Sequence, residues 1–227
     1  VESFNKQIET LYQNKIFQQI YNSLHFSKLN FLVATFTNLE YKKSINNHDP
    51  NHYAPLGIFA RPDPAYNRLH PQIGFRLEKG FPMYQYKCGA IDLNSFDHRK
   101  INVFQEFTHA SQWLYYTTHD LLVEENYFDL LLEIEVELLA LITGNVNCIN
   151  NSLLNVPSIQ KLVKRYSQNA PFTEDDLQAL EKDLEKIYTM LVNQGPSYKE
   201  KYKQEDLKKV KIADFLFLPS VAGSLTH

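Results

Sequence analysis

The feature that most constrains the fold is a stretch of helix-forming residues, 130–142, that is apolar on almost every side. A helix of this kind is buried inside a protein rather than laid on its surface. The stretch nevertheless carries Glu133, Glu135 and Glu137, and burying an unpaired carboxylate costs several kcal/mol. The sequence therefore predicts a buried helix, over about residues 121–143, whose carboxylates are satisfied by hydrogen bonds or by a cation.

A second helix is predicted just upstream, over about residues 98–116. Its predicted core-facing stripe recurs at helical spacing and consists of Val103, Phe107, Ala110 and Leu114. Helical geometry places Gln105 and His109 one turn apart, with Glu106 beside them. This is the layout of the zinc-protease motif His-Glu-x-x-His, in which two histidines hold the metal and the glutamate is the general base. Gln105 takes the place of the first histidine.

Residues 83–143 resemble the gluzincin-type zincin metallopeptidases. The sequence QEFTH at 105–109 stands where that family has HExxH, and EIEVELLA at 133–140 is similar to the Glu-x-Glu-Ala-Asp-x-x-Ala pattern that follows the motif in several gluzincin families. The His-Ala-x-Gln at 109–112 resembles the end of the motif in many small bacterial members. The resemblance implies an α+β, predominantly helical, zincin-like fold. In that fold a small antiparallel sheet packs on the motif helix, and further helices follow toward the C-terminus.

The resemblance also implies roles for individual residues. His109 and Glu133 match metal ligands, Glu106 matches the general base, and Gln105 matches a ligand position that is weakened or lost. Glu137 matches an acid that lies behind the ligands and orients a histidine.

Residues 83–93 alternate between two faces and predict a strand that leads into the motif helix. In zincins an edge strand near the motif helix pairs with the substrate backbone. By this resemblance Tyr84, Tyr86 and Cys88 belong to a peptide-binding strand.

Gln105 decides the expected chemistry. Its neutral amide is a poor zinc ligand beside imidazole, and His109 with Glu133 leaves two good ligands where catalytic zinc usually has three. His98 is two helical turns away, whereas His119 could fold back toward the site. We therefore expect a catalytically impaired pseudoenzyme that binds a peptide or protein or acts as a scaffold, with no bound cofactor.

Two alternatives remain open. One is an active zinc-dependent peptidase in which Glu106 is the general base and His109, Glu133 and Gln105 bind the metal. The other is an unrelated helical structural domain, in which His109 and Glu133 form a buried hydrogen-bonded pair.

The whole chain, 1–227, is predicted to form one domain around a zincin-like core at 83–143. Residues 45–82 hold six of the ten prolines and predict irregular chain that contains the loop histidines His48, His52 and His70, which we expect to be exposed. Residues 157–227 predict a C-terminal helical part. The remaining predicted elements are a helix at 3–24, strands at 29–37, 58–60 and 73–77, a loop at 145–155, and helices at 158–168 and 173–193.

Composition excludes some classes of function and leaves others open. A net charge of -3 with both signs dispersed excludes a dominant nucleic-acid footprint, and no apolar run is long enough for a transmembrane segment. Cys88 and Cys148 most simply are free, buried thiols, although they could pair. We expect a soluble protein, and because the chain opens on Val1 rather than Met, its compartment stays open, including export with its leader removed.

Overall fold

The computed structural model describes residues 2–37, 40, 43, 57–64, 68–76, 84–86, 89–91, 96–121, 125–146, 150–194 and 196–218. The chain divides into two compact units. The first consists of Val1–Gln85 and Gly89–Tyr115, and the second of Tyr86–Cys88 and Tyr116–His227. The described residues are mostly helical and include a small sheet, which confirms the predicted α+β class.

Helices dominate both units. Two N-terminal helices, α1 (Glu2–Leu11) and α2 (Lys15–His25), belong to the first unit together with most of the motif helix (Phe96–Thr118). The second unit contains the acidic helix (Asn126–Ile142), which carries the three glutamates. The other helical segments of that unit are Asn150–Asn155, Pro157–Ser167, Glu174–Lys182, Leu184–Val192, Pro196–Lys201, Gln204–Leu207 and Ile212–Asp214.

A three-stranded sheet in the first unit has the order β1-β3-β2. It consists of β1 (Leu32–Phe36), β2 (Gly57–Ala60) and β3 (Gln72–Arg76), which confirms the three strands predicted for this part of the chain. The prediction of an antiparallel sheet was wrong, because β1 pairs parallel to β3 while β2 pairs antiparallel to it. Parallel pairing needs a long connection between the two strands, and the proline-rich chain between β1 and β3 provides one.

One face of this sheet packs against helices of the first unit. Phe59 and Ile73 are paired across β2 and β3, as are Gly57 and Phe75, so all four lie on this face. The Phe75 ring lies 5.8 Å from that of Phe4 on α1. Since Phe4 also contacts Phe107 of the motif helix, at 6.5 Å, aromatic packing joins the sheet, α1 and the motif helix.

The single N-terminal helix predicted for residues 3–24 was wrong, because the structure has two helices there. The side chain of Asn14 accepts hydrogen bonds from the backbone N–H groups of Ile16 at 2.9 Å and Phe17 at 3.2 Å. These bonds cap the start of α2 and satisfy amides that have no partner inside the helix. The apolar spacing continues across the break, which is why periodicity alone did not reveal it.

The single strand predicted for residues 83–93 was also wrong. Two short strands, β4 (Tyr84–Tyr86) and β5 (Gly89–Ile91), pair with each other in a two-stranded sheet. A run that alternates between two faces fits one long strand and two paired short strands equally well. The local pattern therefore could not distinguish them.

Boundaries in the second unit differ from the predicted ones at three places. The acidic helix begins at Asn126, later than expected, and it ends as predicted just before Gly144, whose φ of 75° suits glycine. The helix predicted for 173–193 divides at Asp183, which accepts hydrogen bonds from Ser158 and Lys186, both at 2.7 Å. The loop predicted for 145–155 contains a short 3-10 helix at Asn150–Asn155.

Candidate functional site

The motif helix presents its polar motif residues on a half-buried side within the first unit. Its predicted apolar stripe is buried, which confirms that Val103, Phe107, Ala110 and Leu114 face the core. Gln105, Glu106 and His109 are each partly exposed, as expected for one shared side of the helix. The structure therefore brings these three motif residues together along one turn.

A buried glutamine orients His109. The His109 Nδ1 atom lies 3.2 Å from Oε1 of Gln112, one turn further along the helix, and Gln112 is fully buried. Because an amide oxygen only accepts hydrogen bonds, Nδ1 donates when it carries the ring proton, and Nε2 then keeps the lone pair. Gln112 was part of the sequence resemblance, but its contact with His109 follows from the helix geometry.

Strand β2 passes directly beside Glu106. A Cβ atom placed on Gly57 would lie 2.6 Å from both Cγ and Oε1 of Glu106, so only glycine fits against this carboxylate without a shift. Two residues further along β2, the Phe59 ring lies 5.7 Å from that of Trp113. The strand thus follows the motif helix from Glu106 to Trp113.

Sequence reasoning missed this neighbour of the motif helix. The prediction assigned the peptide-binding strand to Tyr84, Tyr86 and Cys88. Tyr84 and Tyr86 lie in β4, but their side chains and all of Cys88 fall outside the described residues. The signal that could have pointed to β2 is the glycine that opens it, since an isolated glycine in a strand often marks a close approach to another segment.

The glutamates of the acidic helix lie in the second unit, and hydrogen bonds satisfy two of them. Glu135 is fully buried, and its Oε1 accepts from the backbone N–H groups of Phe217 at 2.6 Å and Leu218 at 3.1 Å. Glu137 is buried and accepts from Nε2 of Gln194 at 3.2 Å. Hydrogen bonds from protein donors therefore satisfy two of the three carboxylates for which the sequence predicted partners.

Glu133 is the half-buried member of the three glutamates. Burial raises the pKa of the Tyr202 hydroxyl, and the negative charges of Glu133 and Asp129 raise it further. Glu133 thus acts electrostatically on a buried tyrosine of its own unit, and that tyrosine stays protonated throughout the physiological pH range.

The predicted metal ligands are divided between the two units. Gln105 and His109 belong to the first unit, whereas Glu133 belongs to the second, as does Glu137, the acid predicted to orient a histidine. Within the described residues, no three side chains of the His, Cys, Asp and Glu types are grouped so that they could hold a metal ion. One imidazole and one amide on the motif helix do not supply the three protein ligands of a catalytic zinc site.

Two of the remaining candidate histidines lie within the described residues, and both are exposed. His119 is exposed just past the end of the motif helix, with its Nδ1 3.2 Å from the hydroxyl of Thr118. His70 is exposed, as predicted. The side chain of His98 lies outside the described residues, and so do His48, His52, Cys88 and Cys148 in full.

No family model, curated protein or solved structure matches this chain. The likeness to zincins therefore rests on the motif residues themselves. Among the described residues, no helix combines the length and apolar character needed to cross a bilayer.

Proposed function

We propose that this chain is a metallopeptidase-like domain with a degenerate zinc site, and that it binds an extended peptide along β2. The observation that carries the proposal is the close approach of Gly57 on β2 to the carboxylate of Glu106. Strand β2 is an outer strand of its sheet, and within the described residues it pairs only with β3. An outer strand beside a motif helix is the arrangement through which zincins hold a substrate backbone.

Gln105 makes the proposed domain a binding module rather than a peptidase. Without a second imidazole on the motif helix, zinc affinity is low and no metal-bound water is available for Glu106 to deprotonate. Glu106 and His109 remain at their motif positions on the helix. The outer edge of β2 beside them remains able to pair with an extended peptide. The chemistry is impaired while the surface that holds an extended chain is retained.

A zinc titration tests the degenerate site. We expect the purified wild-type chain to bind zinc weakly and to leave a pool of fluorogenic peptides uncleaved. Gln105→His should raise zinc affinity at least about tenfold, and His109→Ala in the Gln105→His background should remove the gain. Stoichiometric zinc in the wild type that is lost on His109→Ala, or cleavage of the peptides with zinc present, would overturn the proposal.

The fluorescence of Trp113 tests peptide binding. This is the only tryptophan in the chain, and it contacts Phe59 on β2. Extended peptides screened from a library should change its emission when they pair with β2. A charged side chain on an outer strand opposes such pairing, so Ile58→Lys should weaken binding. Leu121→Lys, at an exposed position of the second unit, is the control and should leave binding unchanged.

A further inference from the structure

The opposite edge of the same sheet, β1, presents apolar surface to solvent. Large apolar side chains are exposed on β1, on the segment that precedes β1 in the sequence and on the segment that precedes β3: Phe26 (78%), Leu29 (40%), Leu32 (44%), Val33 (49%) and Leu69 (73%). Natural sheets usually protect an outer strand with charged side chains, prolines or a covering segment. Residues 32–36, LVATF, contain no charged residue and no proline.

The backbone groups on the outer edge of β1 point in the direction needed to pair with a further strand. The Leu32 N–H donates to the Pro71 carbonyl at 2.9 Å, so the polar backbone groups of Leu32, Ala34 and Phe36 point toward β3. Backbone groups alternate in direction along a strand, which turns those of Val33 and Thr35 toward the outer edge. Within the described residues, no hydrogen bond occupies the outward groups of these two residues.

A cleft of about 810 Å³ opens beside β1. Val33 shares a sheet face with Ile73, the face that packs on the helices, and both residues line the cleft. Its walls also include apolar and aromatic side chains from α1, α2 and the motif helix, namely Phe4, Ile8, Tyr21, Leu24 and Phe107. A strand added to β1 would direct alternate side chains into this cleft.

We propose that the occupant is a second copy of this chain, paired through β1 in an antiparallel and symmetric manner. A register centred on Ala34 places Val33 of one copy opposite Thr35 of the other, so that the outward backbone groups of both copies bond each other. A symmetric contact requires a surface that complements itself, and an uncharged strand meets a second copy without repulsion.

In the proposed dimer the contact extends from β1 to Phe26, Leu29 and Leu69. With roughly 150 to 200 Å² for each fully exposed side chain of this size, burial of all five exposed residues removes about 500 Å² per copy and about 1,000 Å² in a pair from water, which reaches the lower limit for a specific interface. Backbone pairing along β1 adds to this area.

Sedimentation equilibrium of the full chain over a range of concentrations tests the proposal. We expect a monomer–dimer equilibrium in the wild type, weakened at least about tenfold by Val33→Lys. Leu121→Lys is the matched control, because Leu121 is equally exposed at 49% and lies in the other unit. A wild type that stays monomeric, or a control that weakens association as much as Val33→Lys, overturns the proposal. Circular dichroism verifies that each variant is folded.

Cysteine cross-linking tests the register independently of any loss of folding. In a Cys88→Ser/Cys148→Ser background, Ala34→Cys should form an intermolecular disulfide, because the two Ala34 Cα atoms would lie about 4.5 Å apart. Thr35→Cys should not cross-link, since its copies lie beyond disulfide reach in this register. Cross-linking through Thr35→Cys alone, or a monomer that binds an extended apolar peptide at β1 in place of a second copy, would refute the pairing.

Discussion

The Glu135 carboxylate accepts a hydrogen bond of 2.6 Å from the backbone N–H of Phe217, which lies far away in the sequence. The same oxygen accepts from the N–H of Leu218. Both bonds are buried, and they attach the C-terminal segment of the second unit to the acidic helix. They explain how a glutamate can be fully buried in a helix that is apolar all round, because a carboxylate with charge-assisted partners loses less on leaving water.

Removal of this carboxylate should destabilise the protein. We expect Glu135→Ala to lower the free energy of unfolding by about 2 to 3 kcal/mol, because two buried backbone N–H groups lose their acceptor. Glu135→Gln, which keeps an acceptor oxygen, should cost less. Urea denaturation measures both values, and the exposed Glu181→Ala is the control, which should stay within about 0.5 kcal/mol of the wild type. Equal losses for Glu135→Ala and Glu181→Ala would contradict the assigned role.

The contact between Gly57 and Glu106 predicts that the effect of Gly57→Ala on the free energy of unfolding changes sign when Glu106 is also replaced. Gly57→Ala should destabilise the wild type by about 1 kcal/mol, because the new Cβ meets the Glu106 side chain. In a Glu106→Ala background the same change should stabilise the protein by a few tenths of a kcal/mol to about 1 kcal/mol, since alanine loses less backbone entropy than glycine on folding.

Thermal unfolding of the four variants in this double-mutant cycle gives the coupling between the two positions. If Gly57→Ala changes the stability equally in both backgrounds, β2 does not closely contact Glu106. The peptide-binding proposal would then lose its main support.

Asp176 should make the second unit sensitive to acid. Its side chain is fully buried and lies 2.6 Å from both Lys161 and Arg165. Burial raises its pKa, but hydrogen bonds from Lys161 and Thr173, together with the Arg165 charge, outweigh burial and hold the pKa below the usual aspartate value. A carboxyl with a lowered folded pKa contributes stability above its unfolded pKa, and this stability is lost as the pH falls through the folded pKa.

Wild-type stability should therefore decline below about pH 4, the ordinary pKa of aspartate. Asp176→Asn should cost about 2 kcal/mol at pH 7 and should flatten this acid decline. Chemical denaturation at several pH values measures both effects. Its exposed neighbour offers the control Asp175→Asn, and the role of Asp176 is excluded if the two variants have the same pH profile.

The cap on α2 predicts a local effect on stability. Asn14→Ala should lower the free energy of unfolding by about 1 kcal/mol, because the Ile16 and Phe17 N–H groups lose their acceptor. Asn14→Asp keeps an acceptor and should remain close to the wild type. Denaturant midpoints measure the difference, and an alanine variant as stable as the aspartate variant would argue against the cap.

Much of the local structure could be predicted from the sequence. Apolar spacing located the motif helix and its buried stripe, the β-branched and aromatic runs located β1 to β3, and Gly144 marked the end of the acidic helix. The helix breaks at Asn14 and Asp183 could not be predicted from spacing, because each depends on side-chain hydrogen bonds that leave the apolar pattern intact.

The sequence by itself determined that Gln105, Glu106 and His109 share one side of a helix, and that the glutamates of the acidic helix require partners. Only the tertiary structure decided which segments meet those residues. It placed Gly57 against Glu106, Gln194 against Glu137, and the backbone of Phe217 and Leu218 against Glu135. Helical periodicity is a property of neighbouring residues, whereas these contacts join distant parts of the chain, and no local pattern specifies them.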